Sequence, residues 1–574
     1  MDPKLPKWSA YLNSLRDKNT SQPAQQPTRP ENVDPAPLDT DYAADDEVLK
    51  QPEPASVRPA PEPEETADNG IALGGWNYYF IAKLLLFWMG LIGFHSLENL
   101  AFAGLILLSS RLHAWRAAKL TVLGLLAVAL LYHDSWLPDP SRVVSQASLL
   151  SSFSFDYFVE LAGRFINLSV LAALLLAWAA YWLASRRLRI GVLIIVGLLG
   201  LGIAQHLPAS DMKSTAPMPD MNKVVKDFFA KEALRSVALT PPPASATPFD
   251  IIFIHVCSLS WDDVLAVGLE HHPLWKHFDI LLTKFNSATA YSGPSAIHLL
   301  RATCGQQPHR SMYAPAPEKC YLMNSLLRSG FEPSLALNHD GKFDDFLGQL
   351  QMYGRLSAPP LSLDGIKVTQ HAFDGSPIHD DLSVLDRWLD NRQQSNARRV
   401  ALYYNTISLH DGNRIVGESG GSSMKTYRER LSRLLDNMLS FMNELEHSGR
   451  RAVVVMVPEH GAAVRGDKRQ IAGLREIPTP AITLVPVGIR VVGGNLQHAD
   501  EPLSIDKHTS YLAIAQIVEN MLKKSPFDEH PFEAADYVAN LPTTRYVAQN
   551  ENATVAEYKG RYYLKQGNSS WGRE

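Results

Sequence analysis

The chain has 574 residues, 46% of them apolar and 20% charged, with a formal net charge of -5. That length is several times the usual domain length and calls for two or more folding units. A near-neutral balance offers no basic surface on which to bind nucleic acid, so no nucleic-acid partner is expected.

Residues 1–69 hold 12 of the 38 prolines, with 14 acidic and 7 basic residues. Such a stretch buries too little apolar surface to offset its ordering entropy, and reads as a disordered, acidic, Pro-rich tail. Within it Trp8, Leu12 and Leu15 fall at helical spacing, either a docking segment or a frayed leader.

From 70 to 207 the chemistry inverts, with only 14 charges in 138 residues. Five membrane spans are expected, at 76–94, 97–108, 120–132, 165–183 and 190–203, the second and third being short for a bilayer that needs about 20 apolar residues per helix. Arg111, Arg116 and Lys119 follow the second span, and Arg186, Arg187 and Arg189 the fourth. Basic residues are retained on the cytoplasmic side, which puts both clusters inside and the acidic 133–164 loop outside. The aromatics Trp136, Phe153, Phe155, Tyr157 and Phe158 of that loop suit an interfacial shelf. An odd number of spans then gives a cytoplasmic N-terminus and a periplasmic C-terminal region.

Residues 208–247 read as a short amphipathic helix around 224–234, near the membrane, and a Pro/Ala/Thr linker at 240–247. The remaining 248–574 alternates short β-branched runs (250–256, 400–406, 451–457, 485–491) with helical patterns such as Tyr427, Leu431, Leu434, Leu435, Met438, Met442 and Leu445. Alternation of this kind predicts an α/β domain, a mostly parallel sheet sandwiched by helices, with ligands bound beyond the carboxyl ends of the strands.

The residues after those strands are Cys257, then His410, then Glu459 with His460. Thiolate, imidazole and carboxylate are the ligand types of a zinc site. Each alone has an ordinary structural use, but Glu459 and His460 adjacent in a turn before Gly461 are able to converge on one ion. There are three cysteines. In an oxidising compartment Cys304 and Cys320, close in sequence, form the natural pair, and closing that loop is worth roughly 3 kcal/mol in the chain-entropy view. Cys257 is left over, either a metal ligand or a buried inert thiol.

Ser292 lies in Tyr-Ser-Gly-Pro at 291–294, ahead of an apolar helical run. Proline suits a first helical turn, and the N-H groups there make an anion site. Ser292 is therefore either a plain N-cap or, beside a divalent metal, a hydroxyl activated to attack phosphorus.

Cys-Ser-Leu-Ser-Trp at 257–261, Phe-Asn-Ser-Ala-Thr-Ala-Tyr-Ser-Gly-Pro at 285–294, Leu-His-Asp-Gly-Asn at 409–413 and Val-Pro-Glu-His-Gly at 457–461 stand in order, with Gly-Trp-Asn-Tyr-Tyr-Phe at 75–80 and His-Asp-Ser-Trp-Leu-Pro at 133–138 before them. This set resembles the bacterial cellulose phosphoethanolamine transferases, a subunit family of cellulose synthase systems, from about residue 74 to the C-terminus. The resemblance implies an alkaline phosphatase-like soluble domain. It further implies zinc held by Cys257, Ser292, Glu459 and His460, with Ser292 as the residue modified. Tyr291, His410 and Arg475 would line the site, and Cys304 with Cys320 would form the disulfide. The donor would be phosphatidylethanolamine, the acceptor a cellulose glucosyl hydroxyl, expected to be the 6-OH, and the neighbours other cellulose synthase subunits in the inner membrane. His410 is assigned the proton transfers, with His339 as the other candidate. Transfer to lipid A or another envelope glycan, and a non-catalytic scaffold of the synthase, are the competing expectations. The tail before residue 70 has no counterpart in that pattern.

Overall fold

The computed structural model describes residues 73–110, 116–135, 153–165, 168–188, 190–206, 219–418, 422–467, 469–528, 531–567 and 569–574. The expected tail at 1–69, including its 7–15 segment, and Trp136, Arg111 and Arg189 lie outside them.

Seven strands form one sheet: β1 (Asp250–Val256), β2 (Ile280–Asn286), β3 (Glu332–Leu337), β4 (Val400–Thr406), β5 (Ala452–Pro458), β6 (Leu484–Val492) and β7 (Leu503–Ile505), in the order β7-β2-β6-β5-β1-β4-β3. The centre is parallel as expected: β1 pairs with β5 and β4, β4 with β3, and β2 with β7. The exception is β6, antiparallel to both β5 and β2. The chain leaves β5 at the carboxyl rim, makes the loop 459–479 there, and re-enters the sheet from that same rim, so β6 must run back.

Every residue of β1, β4 and β5 is buried, which is why these strands read as continuous apolar runs and not as alternating ones. Alternate residues feed opposite cores, Ile251 and Phe253 on one face, Ile252 and Ile254 on the other. The helix Tyr427–His447 covers the second face with Leu431, Leu434, Leu435, Met438, Met442 and Leu445 at the expected spacing. The helix Tyr511–Lys523 covers the first with Ile514, Ile517, Val518 and Met521.

A second, antiparallel sheet built from Val547–Gln549, Ala553–Tyr558, Arg561–Gln566 and Gly572–Arg573 was not expected from the sequence. The amphipathic helix Met221–Glu232 packs on it, Met221 and Phe228 against Val547, Ala556 and Tyr563. Its apolar face is thus covered by protein. The expected linker is fixed at both ends, Thr240 N and Oγ1 donating to the Glu519 carboxylate at 2.8 Å each and Thr247 N to Asp528 at 2.9 Å.

The described residues confirm only part of the five expected spans. Among the described residues one helix, Arg116–Asp134, contains an apolar stretch long enough to cross a bilayer, and Phe155–Phe165 with Leu168–Ala184 makes a pair bent by 53° that counts as at most a second. The helices Trp76–Trp88, Ser96–Ser110 and Ile190–His206 are 13, 15 and 17 residues long, short of the ~20 that the hydrocarbon core requires. The first expected span stops early because Met89 and Gly90, at φ +73, end its helix. The expected 165–183 span begins only at Leu168, because the preceding turns form a separate amphipathic helix. Phe80, Phe102, Leu123 and Leu198 join these helices into one bundle.

Candidate active site

Because β5, β1 and β4 are adjacent and parallel, with Val256 level with both Pro458 and Thr406, their carboxyl ends share one rim. Cys257 follows β1 directly, and Glu459 and His460 follow β5. Ser258 turns the chain out of β1 in the left-handed region at φ 63, a conformation costing on the order of 1 kcal/mol outside glycine. Its carbonyl is fixed by Tyr427 Oη at 2.6 Å and its hydroxyl by Arg475 Nη1 at 2.9 Å.

Ser292 opens the helix Ser292–Leu300, whose N-cap is Tyr291 without a side-chain cap bond. The plain N-cap alternative is therefore set aside. Ser292 Oγ instead stands 3.4 Å from Cys257 Sγ and 3.3 Å from His460 Nε2. The helix is locked to the end of β5 by Ser295 Oγ, which donates to the Glu459 carbonyl at 2.9 Å.

Cys257, Glu459 and His460 are buried and offer one sulfur, one oxygen and one nitrogen within 4.8 Å of one another. His460 Nδ1 donates to the Gly461 carbonyl at 2.9 Å, which turns the lone pair of Nε2 toward the site. Glu459 Oε1 accepts from Asn405 Nδ2 at 2.6 Å, while its Oε2 is buried with no hydrogen-bond partner. An orphaned carboxylate oxygen beside a thiol and an imidazole lone pair fits a soft-to-borderline cation such as Zn2+. Without that cation, burial and then Glu459 push the Cys257 thiol up to about 12. Burial raises Glu459 to about 7. Burial, then Arg475, hold His460 well below its usual range.

The remaining expected residues divide. Arg475 is half-buried beside the cluster, its Nη1 3.5 Å from His460 Nδ1. Tyr291 donates its hydroxyl to Glu476 Oε1 at 2.5 Å, so it braces the Arg475 loop. His410 follows β4; its Nδ1 donates to the Asp411 carbonyl at 2.7 Å, which leaves the lone pair on Nε2. Burial and then Arg475 lower it to about 4, although the residue as a whole is only half-buried. His339, the other candidate for proton transfer, has both nitrogens engaged. Gly341 N donates to its Nδ1 at 3.1 Å, so its Nε2 donates to Asn405 Oδ1 at 2.9 Å. It stands behind a ligand, orienting the amide that orients Glu459. Cys304 and Cys320 are bonded to each other, and Cys257 is free and buried.

Sequence reasoning missed Asn405 and His255. Asn405 ends an apolar strand and gives no signal beyond being polar in a buried run. His255 lies within β1, its Nδ1 2.8 Å from Tyr403 Oη and 3.6 Å from Glu459 Oε1.

The family model for the Cellulose biosynthesis protein BcsG C-terminal domain matches residues 206–571, and that for the BcsG N-terminal domain matches 76–203. The chain belongs to the BcsG family. Cellulose biosynthesis protein BcsG of Escherichia coli (strain K12) is 37% identical over 543 residues, 87% of this chain and 96% of that protein. BcsG of Salmonella typhimurium is 37% identical over 540 residues, with the same shares. Among solved structures, the lipooligosaccharide phosphoethanolamine transferase A (EptA) from Neisseria meningitidis is 12% identical, covers 79% of this chain and 98% of its own, and superposes with a TM-score of 0.40. Nothing is inferred from so distant a likeness.

Proposed function

We propose that this BcsG-family protein is a zinc-dependent phosphoethanolamine transferase of the alkaline phosphatase type, moving phosphoethanolamine from phosphatidylethanolamine to hydroxyls of cellulose through a covalent Ser292 intermediate. The observation that carries the reading is the hydroxyl of Ser292 within 3.4 Å of both Cys257 Sγ and His460 Nε2, at a rim shared with the orphaned oxygen of Glu459. The relatives' names supply the link to cellulose. In this reading residues 70–207 hold the chain in the bacterial inner membrane with its N-terminus in the cytoplasm, beside other cellulose synthase subunits, and 248–574 works in the periplasm.

Cys257, Glu459 and His460, together with Ser292 Oγ, would hold the zinc. When bound, the cation supplies Lewis acidity that favours the ionised hydroxyl and offsets charge on phosphoryl oxygens. Ser292 Oγ forms a bond to phosphorus as the bond to the diacylglycerol oxygen breaks, and that oxygen takes up a proton. A sugar hydroxyl then attacks the same phosphorus, losing its proton as the Ser292 ester is released. Arg475 offers a planar, permanently charged donor to the phosphoryl oxygens. His410, neutral at pH 7 because its value lies near 4, enters as a base at Nε2 and takes the sugar's proton. Unprotonated at pH 7, it holds no proton for the first leaving group, so it is assigned the second step.

The test is to express Ser292→Ala in place of the wild-type protein and analyse cellulose and lipid A. Cellulose made without phosphoethanolamine is expected. Phosphoethanolamine lost from lipid A alone overturns the acceptor, cellulose still modified at the normal level overturns the nucleophile, and collapse of total cellulose makes assembly the main role.

A further inference from the structure

The outer-loop helix Phe155–Phe165 has two faces of different chemistry. Phe155 and Phe158 are 78% and 59% exposed, and the apolar helix Leu168–Ala184 begins three residues after its end. The other face enters the catalytic domain. Tyr157 is buried with Phe373, and Phe153 packs beside both, so the expected aromatic shelf is split between surface and core.

Arg164, near the end of this helix, is bidentate on Asp411, with Nη1 2.6 Å from Oδ2 and Nη2 2.8 Å from Oδ1. Both side chains are nearly buried, at 11% and 6% exposure. Arg164 is steadied from its own helix by Glu160 at 2.5 Å, and Glu160 accepts from Ser422 and pairs with Arg414. The Asp411 carboxylate also accepts from Tyr157 Oη at 3.0 Å, Ser423 Oγ at 2.5 Å and Gly412 N at 2.9 Å.

Two short loops are set by this contact. Asp411 adjoins His410 and accepts its Nδ1–H on the backbone carbonyl, so a fixed Asp411 fixes the imidazole. Arg164 Nη1 also reaches the carbonyl of Ala472 at 3.4 Å, and it occupies the space over Gly473, where a Cβ would fall 2.5 Å from that nitrogen and 2.8 Å from Asp411 Oδ2. Gly473, at φ +84, is two residues before Arg475. The second loop contact, at Gly412 (φ +84), excludes a side chain in the same way, its Cβ position lying 2.5 Å from Phe373 and 2.9 Å from Tyr157.

We infer that Arg164 is a positioning residue: through Asp411 and Gly473 the outer-loop helix holds the His410 and Arg475 loops in register with Ser292, so that the site is complete only when this helix is seated. The inference rests on the transferase reading for its rate effect, but not for its geometry. A misplacement of the order of 1 Å costs roughly 100-fold in rate, so the effect of losing the clamp is large although Arg164 touches no reacting atom.

The test uses the full chain in vesicles of phosphatidylethanolamine and phosphatidylglycerol, with diacylglycerol release as the rate and amide hydrogen exchange as the geometric readout. Arg164→Gln leaves a nearly buried carboxylate unpaired, so the double variant Arg164→Gln with Asp411→Asn, which removes both charges, guards against simple misfolding. For both, kcat is expected to fall by about 100-fold, with KM for the lipid within about twofold and zinc content unchanged. Exchange should quicken at 408–413 and 472–476 and stay as in the wild type at 452–458. A kcat within twofold of wild type in both variants, or unchanged exchange at the two loops, overturns the inference. So does loss of zinc with faster exchange throughout 248–574, which would make Arg164 a prop of the fold alone. Wild-type protein that releases no diacylglycerol, while the loops respond as expected, overturns the transferase reading and supports the positioning role.

Discussion

Ser292 Oγ and His460 Nε2 face each other across 3.3 Å, joined by no regular element and separated by 168 residues of chain. The imidazole is held for that encounter by its own backbone, Nδ1 on the Gly461 carbonyl, and the hydroxyl by a helix pinned to the same strand end through Ser295. A hydroxyl set against a nitrogen lone pair and a sulfur, with no cap to make, is disposed for chemistry and not for helix stability.

Zinc occupancy should follow the ligand set. One zinc per chain is expected by mass spectrometry of the purified protein, with Cys257→Ala and Glu459→Gln each abolishing it. Asn405→Ala, which touches no ion but orients Glu459, should weaken zinc by about 10–100-fold. An Asn405→Ala protein with wild-type affinity would remove Asn405 from the site.

In the proposed reaction His410 sets the acid side of the pH profile. Its folded value near 4 means the neutral base persists well below pH 6. In the zinc-saturated enzyme kcat/KM should hold down to about pH 5 and fall as pH drops through 4, where an ordinary imidazole would fail near 6.5. His410→Gln should lower kcat by roughly 10^2 to 10^4-fold and remove that limb. A limb that survives in the variant belongs to another group.

His298 gives the protein an acid liability independent of the metal. It is buried and stacked on Tyr511 at 5.5 Å, and burial lowers it to about 3. The unfolded imidazole titrates near 6.5, so the unfolded chain takes up the proton first. Stability from this group is whole above pH 6.5 and drains as pH falls toward 3, by up to roughly 1.4 kcal/mol per unit. His298→Phe, which keeps a ring against Tyr511, should flatten the fall of Tm between pH 6 and 4. An unchanged slope would show that His298 is not buried in its neutral form.

Removing the Cys304–Cys320 bridge closes no catalytic role but frees a loop of sequence separation 16. Cys304→Ala with Cys320→Ala should cost about 3 kcal/mol of stability while zinc content stays intact. Loss of zinc in that variant would tie the bridge to the site.

Much of the site was legible because its residues follow apolar runs directly: Cys257 after 250–256 and Glu459 with His460 after 451–457 are read without knowing the sheet. Strand direction was not. β6 looks like its parallel neighbours in composition, and only the return of the 459–479 loop to one rim turns it round. Asn405 and His339 were invisible as a pair because their contact spans 66 residues and neither has a motif. Arg164, at the end of the acidic 133–164 loop, carries no signal of its own, since its partner Asp411 lies 247 residues away. The five spans are not all confirmed, for a local reason: hydropathy counts apolar residues but does not see Gly90 ending a helix, or the 53° bend between 155–165 and 168–184.

The most direct measurement is tandem mass spectrometry of the zinc-loaded full chain after brief exposure to vesicles of phosphatidylethanolamine without acceptor. One phosphoethanolamine unit on the peptide containing Ser292, absent from Ser292→Ala, is the expected result. Diacylglycerol released with Ser292 unmodified, or the adduct found on another residue, would contradict it.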